Sequence, residues 1–184
     1  MSIKSLFAVL ATLIMTGMMT GCPLTAEIVG SSEVRTLGDF NRIEVGGLTN
    51  VVLVHGTNPS AEVKAAGIEL KDITTEVTDG ILKVDTRGFH SGESILVNVT
   101  YNRLESVKTA GSSTVTSDGP INADKLKVII TGNGDADLEL NVASVEANMS
   151  GGGNLRLTGK AGAQQIISGG SSGSLNNADL EIVN

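Results

Sequence analysis

The segment Gly111–Leu175 repeats one short phrase four times, and this repeat decides the expected fold. The four phrases are Gly111-Ser-Ser-Thr-Val115, Gly132-Asn-Gly-Asp-Ala136, Gly151-Gly-Gly-Asn-Leu155 and Ser171-Ser-Gly-Ser-Leu175. Their third residues lie 21, 19 and 20 positions apart, at Ser113, Gly134, Gly153 and Gly173. A period near 20 is typical of chains in which each repeat buries its apolar side only against its neighbours.

Apolar residues recur at fixed places around these phrases. Six residues before each third position and two residues after it, all four repeats have an apolar side chain: Val107, Val128, Ala147 and Ile167, then Val115, Ala136, Leu155 and Leu175. Polar and apolar residues alternate between these columns, as strands with one buried face require. The repeat predicts an all-β solenoid of parallel strands, each about 4–6 residues long, with Leu155 and Ile167 facing the interior.

The glycines of the phrases are expected at tight bends, where a positive φ costs glycine little. Two glycine-rich ligand motifs do not fit. Ala161 stands where a phosphate loop needs Ser or Thr, and Ala136 stands where a calcium-binding nonapeptide needs Asp. No cofactor is predicted, and no histidine or cysteine cluster has the spacing of a metal site.

The polar positions of the repeat are expected to form two outward columns. They are Thr114, Asp135, Asn154 and Ser174, and then Thr116, Asp137, Arg156 and Asn176. Four of these residues are the candidate ligand-facing ladder: Asp135, Asp137, Asn154 and Arg156. Short polar side chains on a stacked sheet can bond glycan hydroxyls at low entropic cost, although any such sheet also needs a wetted outer face. Asp137 and Arg156 should lie on adjacent strands and could pair.

Composition fits an aliphatic core in a single domain. The 184 residues include 23 Gly, three Phe, one Tyr and no Trp, so large rings cannot fill the interior. The formal net charge of −7 argues against nucleic acid and against a basic membrane-surface patch.

The N-terminus has the pattern of a bacterial lipoprotein signal. One positive charge, Lys4, precedes an apolar run that is too short to span a bilayer. The words Met19-Thr-Gly-Cys22 resemble a lipobox, so Cys22, the only cysteine, is expected to carry a lipid after removal of residues 1–21. Residues 22–37 are predicted to be a tether and residues 38–184 the folded domain. The alternative is an ordinary cleaved signal with a chance cysteine.

The first half of the domain has strand patterns without a clear repeat. A hairpin is expected around Asp79-Gly80, a brief helical turn within Ile68–Asp72, and a strand from Ile95 to Tyr101. Phe40-Asn-Arg-Ile-Glu-Val-Gly-Gly, Val51-Val-Leu-Val-His-Gly, Val77-Thr-Asp-Gly-Ile-Leu-Lys-Val and Val97-Asn-Val-Thr-Tyr are the most distinctive phrases of this half.

In this order, and followed by Leu104-Glu-Ser-Val and the glycine-serine phrases, the chain resembles the putative auto-transporter adhesin, head GIN domain family over about residues 38–184. The resemblance implies a right-handed parallel β-helix, a secreted or lipoprotein setting in Gram-negative bacteria such as Bacteroidetes, and a role in adhesion. It supplies no catalytic residues. Pro23 after the cysteine favours the outer membrane, on its periplasmic face or at the cell surface.

Three functions follow from these patterns. The first is a lipid-anchored adhesin or glycan- or protein-binding module of the envelope without catalysis. The second is a polysaccharide-active β-helix lyase or hydrolase, although His90, Ser91 and Glu93 lie in a loop that lacks a nucleophile elbow. The third is a structural envelope protein that self-assembles end to end through its final strand, Leu180–Asn184.

Overall fold

The computed structural model describes residues 30–88, 94–169 and 173–183. Within these ranges the chain forms fourteen strands and one 3₁₀ turn, Leu70–Asp72. In chain order the strands are β1 (Ser31–Thr36), β2 (Arg42–Val45), β3 (Asn50–His55), β4 (Ser60–Ala66), β5 (Ile73–Thr78), β6 (Ile81–Thr86), β7 (Ser94–Tyr101), β8 (Ser106–Thr109), β9 (Thr114–Asp118), β10 (Ile121–Gly132), β11 (Asp135–Gly151), β12 (Leu155–Ser168), β13 (Leu175–Asn176) and β14 (Leu180–Ile182).

One long strand, β11, organises the sheet. On one side its first residues pair with β9 and its later residues with β10, while β12 lies along its other side. Two branches therefore leave β11 in the same direction, β9-β3-β7-β4-β1 and β10-β8-β2-β6-β5. Alternate side chains of both branches point inward and form a core of Val, Leu and Ile, with Tyr101 as its largest member.

The far ends of the two branches meet through Arg35 of β1. Its guanidinium donates to the carbonyl oxygen of Ile73 at 2.6 Å and to Thr75 Oγ1 at 2.9 Å, both in β5, and to the carbonyl oxygen of Leu70 at 2.7 Å. Because β1 and β5 are the outermost strands of their branches, the sheet is a nearly closed barrel. Closure protects strand edges that would otherwise be open to pairing with other chains.

The all-β prediction is confirmed, but the right-handed parallel β-helix is wrong. The described strands form a nearly closed barrel of mixed direction, in which β1/β4, β4/β7 and β5/β6 are antiparallel pairs. Strands of 12, 17 and 14 residues also replace the predicted short ones in β10, β11 and β12. The local pattern of alternation is the same in both architectures, so it could not separate them.

The register of the repeat is confirmed across four strands. Val115, Ala136, Leu155 and Leu175 are Cα partners in turn, in parallel pairs offset by 21, 19 and 20 residues. The inward position of Leu155 is also confirmed, since its side chain is 1% exposed. The prediction for Ile167 is wrong, because Ala147 pairs with Ile166 and leaves Ile167 on the outer face, 51% exposed. The last repeat has one more residue between its strand and its glycine phrase than the preceding repeat has. This extra residue moves Ile167 to the outer face of the strand.

The first half of the domain matches its sequence patterns closely. β5 and β6 form the expected antiparallel hairpin, and its turn residues Asp79 and Gly80 have φ of 52° and 71°. Positive φ at both central residues suits a two-residue hairpin. The helical turn is also confirmed, as the 3₁₀ turn Leu70–Asp72.

The strand β1 lies inside the segment predicted to be a tether. Ser31–Thr36 pairs antiparallel with β4, although five of its six residues are exposed. Because nearly all of its residues face solvent, its sequence lacks the alternation of apolar and polar residues by which strands are recognised. The backbone pairing and the bonds of Arg35 hold it in place.

The signal segment, Cys22, and the loop with His90, Ser91 and Glu93 lie outside the described residues. Within the part of the chain that the structure describes, no helix is long and apolar enough to cross a membrane.

Candidate functional site

The predicted polar ladder lies on the outer face of β9, β11, β12 and β13. Thr116, Asp137, Arg156 and Asn176 are Cα partners in turn, and Asp135 is the partner of Thr114. Parallel strands are about 4.8 Å apart, so a column of four covers about 14 Å. The two columns border a shallow depression of about 360 Å³, lined by Thr114, Asp135, Asn154 and Ser174 of one column and by Asp137, Arg156 and Asn176 of the other.

The side chains of the ladder bond to one another and to nearby backbone. The Asp135 carboxylate accepts hydrogen bonds from the Asn154 backbone N–H at 2.7 Å and from Asn154 Nδ2 at 2.8 Å. Arg156 forms an ion pair with Asp179 at 3.3 Å, with both side chains more than half exposed. Asp137 and Arg156 are cross-strand neighbours, as expected.

These contacts give the ladder a fixed set of donors and acceptors facing solvent. The carboxylate of Asp135 orders the backbone between β11 and β12, which is a structural role. Arg156 and Asp137 are more exposed and can exchange their surface contacts for a ligand. The depression is shallow and open, which suits an extended ligand better than a small enclosed one.

A larger groove, of about 1000 Å³, was not found from the sequence. It crosses the outer face of β6, β2, β8 and β10 and is bordered by the loop that includes Arg103 and Glu105. Two lysines, Lys125 and Lys127, face it from the same side of β10. Their alternate spacing is visible in the sequence, but the other cations come from distant segments that only the fold brings together.

Glu146 holds both of these lysines. Its carboxylate is 2.9 Å from Lys127 Nζ and 3.2 Å from Lys125 Nζ, and it accepts a hydrogen bond from Asn148 Nδ2 at 3.2 Å. These contacts, with Lys127 first and then Lys125 and Asn148, lower the pKa of Glu146 from 4.5 to about 2. Two ammonium groups therefore share a single carboxylate.

The lowered pKa predicts an acid-sensitive contribution to stability. Since the folded-state pKa lies below the unfolded value, the contribution is complete above about pH 4.5 and is lost as the pH falls toward about 2. We expect Glu146→Gln to be less stable than the unaltered protein at pH 6 and the difference to shrink as the pH falls from 4.5 to 2. Urea unfolding at intervals across this range measures it.

The matched control for the loss of one negative charge is Glu181→Gln, which removes an exposed carboxylate whose contact with Lys160 is longer, at 3.8 Å. A difference for Glu146→Gln that stays constant from pH 6 to pH 2 would contradict the assignment of the two lysine contacts.

Other reactive groups are few in the described ranges. No three His, Cys, Asp or Glu side chains there lie close enough to hold a metal ion. The rings of His55 and Tyr101 pack in a T-shaped arrangement, with centroids 5.6 Å apart. This contact packs an exposed histidine against a core residue and assembles no catalytic group.

Solved structures of similar fold come from Bacteroides and Parabacteroides species. A putative adhesin from Bacteroides fragilis superposes with a TM-score of 0.67 at 17% identity, covering 83% of this chain and 72% of that protein. A putative lipid binding protein from Parabacteroides distasonis gives 0.65 at 16% identity, covering 82% and 74%. A putative adhesin from Parabacteroides distasonis gives 0.62 at 19% identity, covering 83% and 76%. At these identities the likeness concerns the fold.

No curated protein matches the chain in sequence. The family model described as putative auto-transporter adhesin, head GIN domain, matches residues 39–184, which include every described strand except β1. The resemblance predicted from the strand and glycine phrases is confirmed, and the chain belongs to the head GIN domain family of putative auto-transporter adhesins.

Proposed function

We propose that this protein is a non-catalytic adhesive module of the bacterial cell envelope, anchored in the outer membrane through a lipid on Cys22, which binds surface glycans or proteins through the polar ladder. One observation carries the proposal: Asp137, Arg156 and Asn176 are in register across three strands and line one open depression. Membership of an adhesin family supports the same class of function.

The rigidity of the ladder supports binding of an extended ligand. Its side chains project from paired strands, so the backbone that carries them needs no further ordering on binding. Charge-assisted hydrogen bonds from Arg156 and to Asp137 are the strongest that this surface offers. Several acyl chains together give lasting attachment to a membrane. The lipid anchor would therefore hold the domain at the membrane, and it would leave this face free.

The test is retention of the detergent-purified full chain on arrays of glycans and envelope proteins, with and without calcium, followed for both binding and cleavage. We expect binding without cleavage, and we expect Arg156→Ala to weaken it by about tenfold, the equivalent of about 1.4 kcal/mol. Lys160→Ala is the matched control, since Lys160 is also an exposed cation of β12 that lies near a carboxylate, that of Glu181, but it lies outside the depression.

Equal losses for Arg156→Ala and Lys160→Ala would place the ligand elsewhere. Cleavage of a bound polysaccharide would replace the non-catalytic function with an enzymatic one. Cys22→Ser tests the anchor separately: it should release the protein from the membrane fraction, and a protein that stays there would contradict lipid attachment.

A further inference from the structure

The groove on the outer face of β6, β2, β8 and β10 has a composition unlike the rest of the molecule. The chain as a whole has a formal net charge of −7. Five cations line the groove, namely Arg42, Arg103, Lys108, Lys125 and Lys127. The carboxylates that line it are three, Glu44, Glu105 and Asp124, and Glu146 contacts Lys125 and Lys127 from beside it, so the groove keeps a surplus of one positive charge in an acidic protein.

The pairing of the long strands is interrupted at one level, beside the groove. The pairing between β10 and β11 is interrupted at Asp124 and Ala143, and that between β11 and β12 at Ala143 and Gly162. A Cβ atom at Gly162 would lie 2.6 Å from the carbonyl oxygen of Ala143, so the strands approach closely at this level. The start of β10 extends past β8, which pairs only with Lys127–Ile130, and it forms one wall of the groove.

The cations are held in place yet remain accessible. Lys125 and Lys127 share Glu146, and their side chains are 65% and 42% exposed. Lys108 lies 3.4 Å from Glu44 across the sheet, and Arg42 donates to the carbonyl oxygen of Asp79 at 2.8 Å. The contacts of Lys108 and Arg42 are surface contacts that are weak in free energy, so a ligand carboxylate can replace them at small cost. At Glu146 two ammonium groups share one carboxylate, so a ligand carboxylate can join them without displacing it.

The remaining lining indicates a sugar more than a bare anion. Ile81, Ala123 and Ile129 supply partly buried apolar surface between the charges. Asn141 donates to Asn122 Oδ1 at 2.6 Å, which places an amide pair at the same wall. Apolar patches suit the C–H faces of sugar rings, and the amides and the hydroxyl of Ser106 suit their hydroxyl groups. The described lining residues include no aromatic side chain on which a nucleic-acid base could stack.

We infer that this groove binds an acidic polysaccharide, a chain of sugars bearing carboxylates, with Lys125 and Lys127 as the main charge contacts. These two side chains project from one face of β10 about 7 Å apart, at alternate positions of an extended strand. They can therefore contact separate carboxylates along an extended chain. The groove is distinct from the polar ladder, so the inference stands or falls independently of the proposed function.

The first test compares two probes on the full chain purified in detergent. Oligogalacturonates carry one carboxylate per sugar, and their methyl esters have the same sugar rings without the negative charge. By isothermal titration calorimetry at low salt we expect the acid form to bind at least about tenfold more tightly than the ester, as charge-assisted hydrogen bonds imply. This comparison needs no substitution. Equal binding of the two forms, or no binding of the acid form, overturns the inference.

The second test locates the site. The double variant Lys125→Gln with Lys127→Gln should weaken binding of the acid form by about tenfold or more. The control is the double variant Lys64→Gln with Lys160→Gln, which removes the same total charge from strands outside the groove, β4 and β12. It should leave the affinity within about twofold, because salt screens charges that are distant from the ligand. Equal losses in the two double variants would mean diffuse attraction and would overturn the site. Arg156→Ala should have no effect on this ligand.

Discussion

Replacing Leu155 by aspartate is expected to destabilise the fold by roughly 3–5 kcal/mol, because the carboxylate would be buried without a partner. The Leu155 side chain is 1% exposed and belongs to the continuous hydrophobic core. Its strand partners Ala136 and Leu175 are apolar and offer no compensating charge. Single domains have only about 5–15 kcal/mol of stability in total, so the variant should be close to unfolding.

Two controls separate burial from the chemistry of the substitution. Leu175→Asp changes the next residue in the same cross-strand column, but this side chain is 37% exposed, and Ile167→Asp changes one that is 51% exposed. Each should cost within about 1 kcal/mol. Urea unfolding followed by far-ultraviolet circular dichroism gives the free energy of unfolding of all three. If Ile167→Asp is as damaging as Leu155→Asp, the register of β12 against β11 is wrong.

The repeat allowed the pairing of distant residues to be predicted, because a fixed period transfers the position of one strand to the next. The partners Asp137 and Arg156, 19 residues apart, are an example. The same inference failed at Ile167, where the interval between the strand and the glycine phrase is one residue longer than in the preceding repeat. Since alternate residues of a strand face opposite sides, that single residue exchanges inside for outside.

Closure of the barrel could not be predicted, because it depends on contacts with no local signature. Arg35 lies in a strand with little apolar patterning and joins β1 to β5 across about 40 residues of sequence. A parallel β-helix and this barrel share the same alternation of apolar residues in the repeat region. They differ in how the less regular first half pairs, and there antiparallel pairs return the chain on itself.

The two candidate sites differ in the same respect, since one follows from the repeat and the other depends on the fold. The polar ladder comes from one repeated column, so Asp135, Asp137, Asn154 and Arg156 were identified from spacing alone. The basic groove draws Arg42, Arg103 and Lys108 from separate segments to a pair of lysines in β10. A sequence with a net charge of −7 gives no indication that its cations gather on one surface.

Gly153→Ala is expected to be among the most damaging small substitutions in the repeat. The sequence predicted that glycine is needed at these bends for its positive φ, and Gly111 and Gly132 do have φ of 70° and 77°. Gly153 has no positive φ, so the cost of replacing it has another cause. A Cβ atom at Gly153 would lie 1.8 Å from the carbonyl oxygen of Gly134 in the adjacent turn. Backbone atoms cannot rotate away as a side chain can, so the two turns would have to separate.

Hydrogen bonds on both sides of the turn resist that separation. Ala136 N–H donates to the carbonyl oxygen of Asn154 at 2.9 Å, and Leu155 N–H donates to that of Ser174 at 2.8 Å. We therefore expect Gly153→Ala to cost about 3 kcal/mol or more, as overpacking against fixed backbone does. The measurement is the free energy of unfolding in urea, compared with two other glycine-to-alanine variants.

These two controls divide the cost into its causes. Gly119 has a φ of 94° with no atom within 4 Å of an added Cβ, so Gly119→Ala should cost only the backbone strain of about 1–2 kcal/mol. Gly38 has neither a positive φ nor a neighbour within 4 Å, so Gly38→Ala should be neutral or stabilising by up to about 1 kcal/mol. A cost for Gly153→Ala no greater than that for Gly119→Ala would mean that the stacked turns can move apart freely. The close approach of Gly134 and Gly153 would then not be the reason that glycine occupies these positions.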